Sequence, residues 1–230
     1  MQLNDVLGAN LQTSITIGGA LTLSTGAFSI GANSLTLNGA LAYTTGTFTG
    51  GSASNLTLAS TGIATTLPTI TNGLQDLNIT RTTPATTTFT ADVTLAGNLT
   101  INALNTLADG GRIITVKGDV THNGTYSGLG KILLAGASAV HQLTGTSNYI
   151  NLDLNDVQGA TMNNSFSVTG LLSLTSGSLA INTNTLTLTG TTVGAGGTLA
   201  GNATSELVIG GTAGGDYGML SFTSGSQDVG

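Results

Sequence analysis

The sequence predicts an all-β fold and, within that class, a parallel β-helix (β-solenoid) of short stacked coils of about 20 residues. Three observations lead to this prediction: the chain repeats itself over a long distance, short strand-like segments recur at close to the coil spacing, and glycines separate those segments. No segment shows the apolar periodicity of an amphipathic helix, and glutamate, a good helix former, occurs only at Glu206.

The long repeat relates residues 21–62 to residues 172–213 without a gap, and 15 of the 42 paired positions are identical. Most of the identical residues are leucines and glycines that stay in register. Between the two copies, residues 63–171 keep the same type of segment at a looser spacing. We therefore expect residues 1–230 to form one repetitive solenoid segment, part of a longer chain.

Each predicted strand places a small polar residue between two apolar ones. Side chains alternate between the two faces of a strand, so this pattern gives one apolar and one polar face, and threonine also favours the strand backbone. In chain order the segments are Leu35-Thr36-Leu37, Leu56-Thr57-Leu58, Leu77-Asn78-Ile79, Leu99-Thr100-Ile101, Ile114-Thr115-Val116, Leu152-Asp153-Leu154 and the segment beginning at Leu172. Glycine pairs such as 18–19 and 110–111 provide the turns between them.

An antiparallel β-sandwich, as one domain or two in tandem, is the alternative architecture. A sandwich has fewer strands around one unique core, whereas these segments resemble each other and are more numerous. About eleven coils at roughly 4.8 Å per strand spacing would form a rod of about 50 Å.

The composition excludes several classes of protein. Only 6% of the residues are charged, the net charge is -6 with 4 basic residues, and there is no cysteine. So few basic groups cannot neutralise a nucleic-acid backbone, and without cysteine there is neither a disulfide framework nor a thiolate metal site. Threonine, serine, asparagine and glycine provide the polarity instead. Neutral ladders of this kind suit in-register stacking, where charged side chains would repel their own copies.

The longest apolar stretch, residues 132–140, is interrupted by Gly136 and Ser138 and is too short to span a bilayer. No membrane insertion is expected. The first five residues lack the basic and apolar regions of a signal peptide. The composition nevertheless favours an extracellular setting, with the signal removed or located elsewhere in a longer protein.

Five repeat segments have a style that is found in known proteins: LTLSTGAFSIGANSLTLNG (21–39), GTFTGGSASNLTL (46–58), LPTITNGLQDLNITR (67–81), VHQLTGTSNYINLDLND (140–156) and LLSLTSGSLAINTNTLTLTG (171–190). In these segments the chain resembles the β-strand-repeat cell-surface proteins of environmental Bacteroidetes and, more loosely, adhesins of the filamentous-haemagglutinin type. The resemblance implies a secreted or cell-surface β-solenoid segment of a large adhesin or filament, without enzymatic activity.

Ionisable residues concentrate in residues 109–156, which hold nine of the sixteen charged or histidine side chains. Aligned on one lateral face, they would resemble the groove of a glycosidase or lyase, which needs paired carboxylates. No carboxylate pair recurs at the coil spacing, so an ordinary solvated face is the favoured interpretation. Within this window Asp119 and Asp153 are the candidate ligand contacts. Tyr126, Tyr149 and Tyr217 are the candidates for exposed carbohydrate contacts. Phe28, Tyr43, Phe48, Phe89 and Phe166 are expected in the core or in aromatic stacks.

No metal or cofactor is expected. His122 and His141 are separated by close to one coil length, but no third ligand lies at a matching spacing. We expect both histidines to be exposed or locally hydrogen-bonded. The acidic loops at Asp109 and at residues 153–156 match no calcium-binding loop.

A threonine row, Thr185-x-Thr187-x-Thr189, is of the type that orders water on ice-binding solenoids. The rows beginning at Ser34, Asn98 and Glu206 do not maintain it. Ice binding therefore remains a minor alternative.

The function predicted from the sequence is a structural or adhesive extracellular module, a rigid spacer or filament-forming unit of a bacterial surface protein. Because an open solenoid exposes strand edges at its ends, end-to-end self-association or stacking on flanking repeats is expected. Glycans or surfaces are the other expected partners. The competing function is a polysaccharide-binding or polysaccharide-degrading β-helix of the tailspike kind.

Overall fold

The computed structural model describes residues 1–210, and this part of the chain is built from thirty β-strands without a helix. Every strand pair in it is parallel, and the strands follow one another around three lateral faces in about ten stacked turns. Among residues 1–210 no helix is long and apolar enough to cross a membrane. The parallel β-solenoid is confirmed, and the antiparallel sandwich is excluded.

The first face contains sheets of three, four and three strands. Its strands are β1 (Gln2–Asn4), β4 (Leu21–Thr25), β7 (Leu41–Tyr43), β10 (Thr65–Leu67), β13 (Ala85–Phe89), β16 (Asn105–Ala108), β19 (Thr125–Ser127), β24 (Phe166–Val168), β27 (Thr185–Leu188) and β30 (Glu206–Ile209).

The second face contains sheets of four and six strands, linked by a bridge between Leu74 and Leu95. Its strands are β2 (Ala9–Asn10), β5 (Ala27–Ser29), β8 (Thr47–Thr49), β11 (Ile70–Thr71), β14 (Val93–Leu95), β17 (Ile113–Val116), β20 (Lys131–Leu134), β22 (Leu152–Asn155), β25 (Leu171–Ser176) and β28 (Thr191–Gly194).

The third face is a single ten-stranded sheet that runs through all of these turns. Its strands are β3 (Ile15–Ile17), β6 (Ser34–Leu37), β9 (Asn55–Leu58), β12 (Asp76–Ile79), β15 (Leu99–Ile101), β18 (Val120–His122), β21 (His141–Thr144), β23 (Ala160–Met162), β26 (Ser178–Asn182) and β29 (Thr198–Gly201).

Strand register sets the length of each coil. On the third face Thr16 pairs with Thr36, which gives a coil of the predicted length. The coil from Val120 to its partner Leu143 is longer, and the next coil, from Leu143 to Met162, is shorter again. The predicted coil length is therefore confirmed, and the turns absorb the residues that are added or removed.

The core is a set of apolar columns that run along the axis inside the three faces. On the third face one column contains Ile15, Leu35, Leu56, Leu77, Leu99, Val120, Leu143 and Met162, paired coil by coil. From Leu35 onward these side chains are fully buried, and burial of each such side chain contributes about 1.5–3 kcal/mol. Phe28, Phe48, Phe89 and Phe166 are buried in the same core, as predicted, and Tyr43 is partly buried against it.

The two copies of the long repeat occupy different faces. Residues 21–62 begin on the first face with β4, whereas residues 172–213 begin on the second face with β25. Corresponding residues of the two copies therefore lie on adjacent faces of the solenoid. The unit that recurs in the sequence is a strand with its turn, and this unit can form any of the three faces. Residues 211–213 of the second copy lie outside the described part of the chain.

Candidate functional site

The two tyrosines predicted to contact carbohydrate on the surface are buried in the core. Tyr126 is 5% exposed and Tyr149 is 1% exposed. Tyr126 pairs in register with Leu107, and Tyr149 bridges Val168, so each occupies an inward position of the first face. The expectation that their side chains are exposed is wrong, because strand alternation turns them inward. Tyr217 lies outside the described residues.

These tyrosines form an aromatic cluster inside the solenoid. The ring centroids of His122 and Tyr149 are 5.2 Å apart, those of Tyr149 and Phe166 are 4.9 Å apart, and both pairs meet edge to face. Burial raises the pKa of both tyrosines, and at Tyr126 the neighbouring Asp109 carboxylate raises it further. Both phenols are therefore neutral groups of the core.

Asp119, a candidate ligand contact, is exposed and belongs to a ladder of hydrogen bonds between coils. Its own backbone N–H donates to Asn98 Oδ1 at 2.8 Å, and its Oδ1 accepts from the backbone N–H of Gln142 at 2.8 Å. The same position one coil earlier is linked in the same way, because the Asn98 N–H donates to Asp76 Oδ1 at 2.7 Å. Asp119 thus joins neighbouring coils.

Asp153 forms an ion pair on the second face. Lys131 Nζ lies 2.6 Å from Asp153 Oδ2, and Thr175 donates to Oδ1 at 3.3 Å. The Asp153 side chain is only 11% exposed. Asp119 lies in the turn before third-face strand β18, and Asp153 lies in second-face strand β22. Their hydrogen-bond partners within residues 1–210 are different, so the structure does not present them as a pair of catalytic carboxylates.

Of the two outcomes expected for the histidines, exposure is not observed, since both are fully buried, and hydrogen bonding is observed for both. Since Val120 pairs with Leu143, His122 lies level with Gly145 and His141 lies level with Gly118. The two rings therefore occupy opposite ends of neighbouring strands. In residues 1–210 no three His, Asp or Glu side chains are grouped closely enough to hold a metal ion.

The two histidines differ in their hydrogen-bond partners. His141 Nδ1 lies 2.5 Å from the Gly118 carbonyl oxygen, and Nε2 lies 3.2 Å from Asp156 Oδ2. Burial raises the pKa of Asp156, but hydrogen bonds from Gln158, Ala137 and His141 outweigh it and lower that pKa. His122 has one partner, the Asn148 carbonyl, and burial lowers its pKa to about 4.

Arg81 is a buried cation that sequence reasoning missed. It is 1% exposed, and three hydroxyl groups surround its guanidinium: Ser60 at 3.1 Å, Thr87 at 2.7 Å and Thr65 at 2.8 Å. Burial lowers its pKa, and none of these partners is a carboxylate. An isolated arginine in a threonine-rich segment carries no periodic signal that distinguishes it from an exposed one.

A cleft lies on the first face, between β19 and residues 146–149. It has a volume of about 530 Å³, and its lining is Gly124, Thr125, Tyr126, Thr146, Ser147, Asn148, Ile150 and Thr169. A second depression of about 210 Å³ shares Thr146 and Asn148 with it and continues toward β24 and β27. We call the two together the first-face cleft.

The threonine row at Thr185 and Thr187 lies on the first face, where Ser167 is the neighbour of Thr187 on one side and Val208 on the other. The rows at Ser34 and Asn98 lie on the third face and are not its neighbours. The third face instead has an outward column of mostly threonine, containing Thr16, Thr36, Thr57, Asn78, Thr100, Thr121 and Thr144.

Comparison of the chain with protein-family models, with curated proteins and with solved structures gives no match. Any functional conclusion therefore depends on the geometry described above.

Proposed function

We propose that the chain is a rigid structural and adhesive module, a spacer or filament-forming unit of a bacterial cell-surface protein. The observation that carries the proposal is the third face, whose ten parallel strands run unbroken through the described chain. Bending such a sheet along the solenoid axis would strain the hydrogen bonds between successive coils. Side chains reinforce it, as in the ladder through Asn98 and Asp119.

The surface chemistry supports an extracellular contact role. Outward columns consist mainly of Thr, Ser and Asn, and the 14 charged residues of the whole sequence are too few to dominate any face. Hydroxyl and amide groups both donate and accept hydrogen bonds, so such a surface suits contact with glycans or with a neighbouring copy. This setting agrees with the resemblance to repeat-containing surface proteins.

The first coil supports association along the axis. Its strands β1, β2 and β3 each have one partner strand in the described chain, which leaves the other edge open. In the same coil, Val6 is 81% exposed and Leu7 is 92% exposed. A flanking repeat or a second copy that stacks on this edge would pair these strands, with Val6 and Leu7 in the adjoining turn.

Small-angle X-ray scattering of the full chain over a range of concentrations tests this proposal. We expect the particle to lengthen with concentration at a constant cross-section, and Leu7→Glu to reduce the growth. Leu129→Glu is the matched control, because Leu129 is 91% exposed in a turn of an internal coil. Growth in cross-section, a monomer at every concentration, or equal effects of the two substitutions would contradict axial association.

Polysaccharide binding is the second candidate function, and the first-face cleft favours it. A degrading enzyme is less well supported, because Asp119 and Asp153 are both engaged in contacts between coils. Turnover assays on a glycan panel distinguish polysaccharide binding from polysaccharide degradation. Release of shorter sugars would support the enzyme and contradict a purely structural module.

A further inference from the structure

The first-face cleft arises where the stacking of the first face is interrupted. Strand β19 pairs with β16 below it, and the next turn provides no strand to pair above it. Residues 146–149 are hydrogen-bonded to β24, on the side away from β19. The Tyr149 N–H donates to the Ser167 carbonyl at 2.9 Å, and the Ser167 N–H donates to Asn148 Oδ1 at 3.2 Å. The upper edge of β19 therefore borders the cleft.

This edge presents main-chain groups to a ligand. The Ser127 carbonyl accepts from the Asp109 N–H at 2.9 Å, so Ser127 bonds toward the coil below. Alternate residues of a strand bond to opposite neighbours in a parallel sheet, so the peptide N–H and C=O of Tyr126 point into the cleft. Tyr126 thus lines the cleft with its backbone, while its ring packs in the core.

The described residues that line the cleft are uncharged, and most of their side chains are polar. The side chains of Thr125, Thr146, Ser147, Asn148 and Thr169 provide hydroxyl and amide groups, and Ile150 is the one aliphatic side chain. A charged ligand would find no opposite charge here, and an apolar ligand would leave the polar groups unpaired. A ligand rich in hydroxyl groups satisfies both donors and acceptors.

The geometry disfavours an added peptide strand. On the third face β18 pairs directly with β21, and on the second face β20 pairs directly with β22. These pairings hold the two coils one strand spacing apart, which leaves no room for another strand between them on the first face. A ligand must instead lie across the coils, along the line from the cleft to its extension near Ser165 and Thr187.

We propose that the first-face cleft binds a neutral oligosaccharide segment that lies along the solenoid axis. The inference deepens the adhesive part of the proposed function and rests on it. The scattering experiment above tests the rod and its association without any sugar, so the two proposals can fail separately.

Isothermal titration calorimetry of the full chain tests the site, with neutral gluco- and manno-hexaoses as probes and oligogalacturonate as the charged comparison. We expect at least one neutral sugar to bind and the charged one to bind more weakly. Thr146→Arg, which fills the cleft, should weaken binding at least about tenfold. Thr125→Val, which removes one hydroxyl, should weaken it about two- to tenfold.

Thr66→Val is the matched control, because Thr66 is an exposed threonine of first-face strand β10, which is not part of the cleft. It should leave sugar affinity unchanged, and circular dichroism should show that all three variants keep the wild-type fold. The proposal is overturned if no neutral sugar binds at about 10 mM, if oligogalacturonate binds more tightly, or if Thr146→Arg binds as tightly as wild type.

Discussion

At the scale of single residues, His122 shows how the core accommodates a polar side chain. It ends a column in which the preceding members are Ile17, Leu37, Leu58, Ile79 and Ile101. Within residues 1–210, Nε2 has one hydrogen-bond partner, the Asn148 carbonyl, and Nδ1 has none. The ring is therefore buried in its neutral form, so protonation opposes folding.

The pH dependence of stability follows from this burial. Burial in the folded protein lowers the pKa of His122 from 6.5 to about 4. The contribution of the neutral ring to the free energy of unfolding is therefore complete above pH 6.5 and is lost as the pH falls toward 4. We expect wild type to lose roughly 3 kcal/mol more than His122→Ile over this range. Urea denaturation at pH 7.5 and near pH 4 measures the difference. Parallel losses in the two proteins would contradict the assignment.

Asp119 illustrates a sequence signal whose structural role could not be read from spacing alone. A carboxylate in a segment rich in charged residues suggests a catalytic role. The structure instead places Asp119 in a ladder of hydrogen bonds between coils, in which Asn98 and Asp76 are the acceptors in earlier coils. Which face a residue occupies depends on turn lengths, and these vary here. Tyr126 and Tyr149 are buried for another reason, because alternation along the strand turns their side chains inward.

Substitution separates the structural role of Asp119 from a catalytic one. Asp119→Ala removes the acceptor for the Gln142 N–H and should lower the free energy of unfolding by about 1 kcal/mol. Asp119→Asn keeps an acceptor oxygen at that position, as Asn98 does, and should be close to neutral. Chemical denaturation of both variants provides the comparison; an asparagine variant as unstable as the alanine variant would refute the ladder role.

At the scale of strands and turns, alternation and glycine spacing predicted most of the fold. Segments such as Leu56-Thr57-Leu58 and Leu99-Thr100-Ile101 form strands with the expected inward residues, because period-two alternation fixes which side chains are buried. The gap above β19 was not predicted. Residues 146–149 have the same small polar composition as paired segments, and the gap arises from their tertiary contacts with β24.

The turns are also limited by close packing of one coil on the next. At Gly39 an added Cβ would lie 2.1 Å from the carbonyl oxygen of Gly19 in the coil below. At Gly51 the nearest atom would be Ser54 Oγ at 3.9 Å. Of these two glycines, only Gly39 is required by stacking.

We expect Gly39→Ala to lower the free energy of unfolding by about 1–3 kcal/mol, because backbone must move to accept the methyl group. Gly51→Ala should change it by no more than about 0.5 kcal/mol. Thermal or urea unfolding of the two variants tests the contrast. Equal effects would mean that the coils do not approach each other as described at Gly39.

At the scale of the whole molecule, scarcity of charge and regular stacking are linked. Each outward position is repeated at one strand spacing along the axis, so a charged column would repel itself, while Thr and Asn columns remain compatible with their neighbours. Two charged residues that occur singly avoid such repulsion. Lys131 forms an ion pair with Asp153 of the next coil, and the buried Arg81 donates hydrogen bonds to three hydroxyl groups. The result is a rod with a neutral surface that suits contact.

Electron paramagnetic resonance distances test whether the solenoid is a rigid rod with its coils stacked in parallel register. The chain contains no cysteine, so two introduced cysteines give two specific spin labels. Labels at Thr16 and at Thr100, Thr121 or Thr144 are four, five and six coil steps apart on the third face. We expect narrow distributions near about 19, 24 and 29 Å. Broad distributions, or distances that do not increase by one strand spacing per coil, would contradict the account.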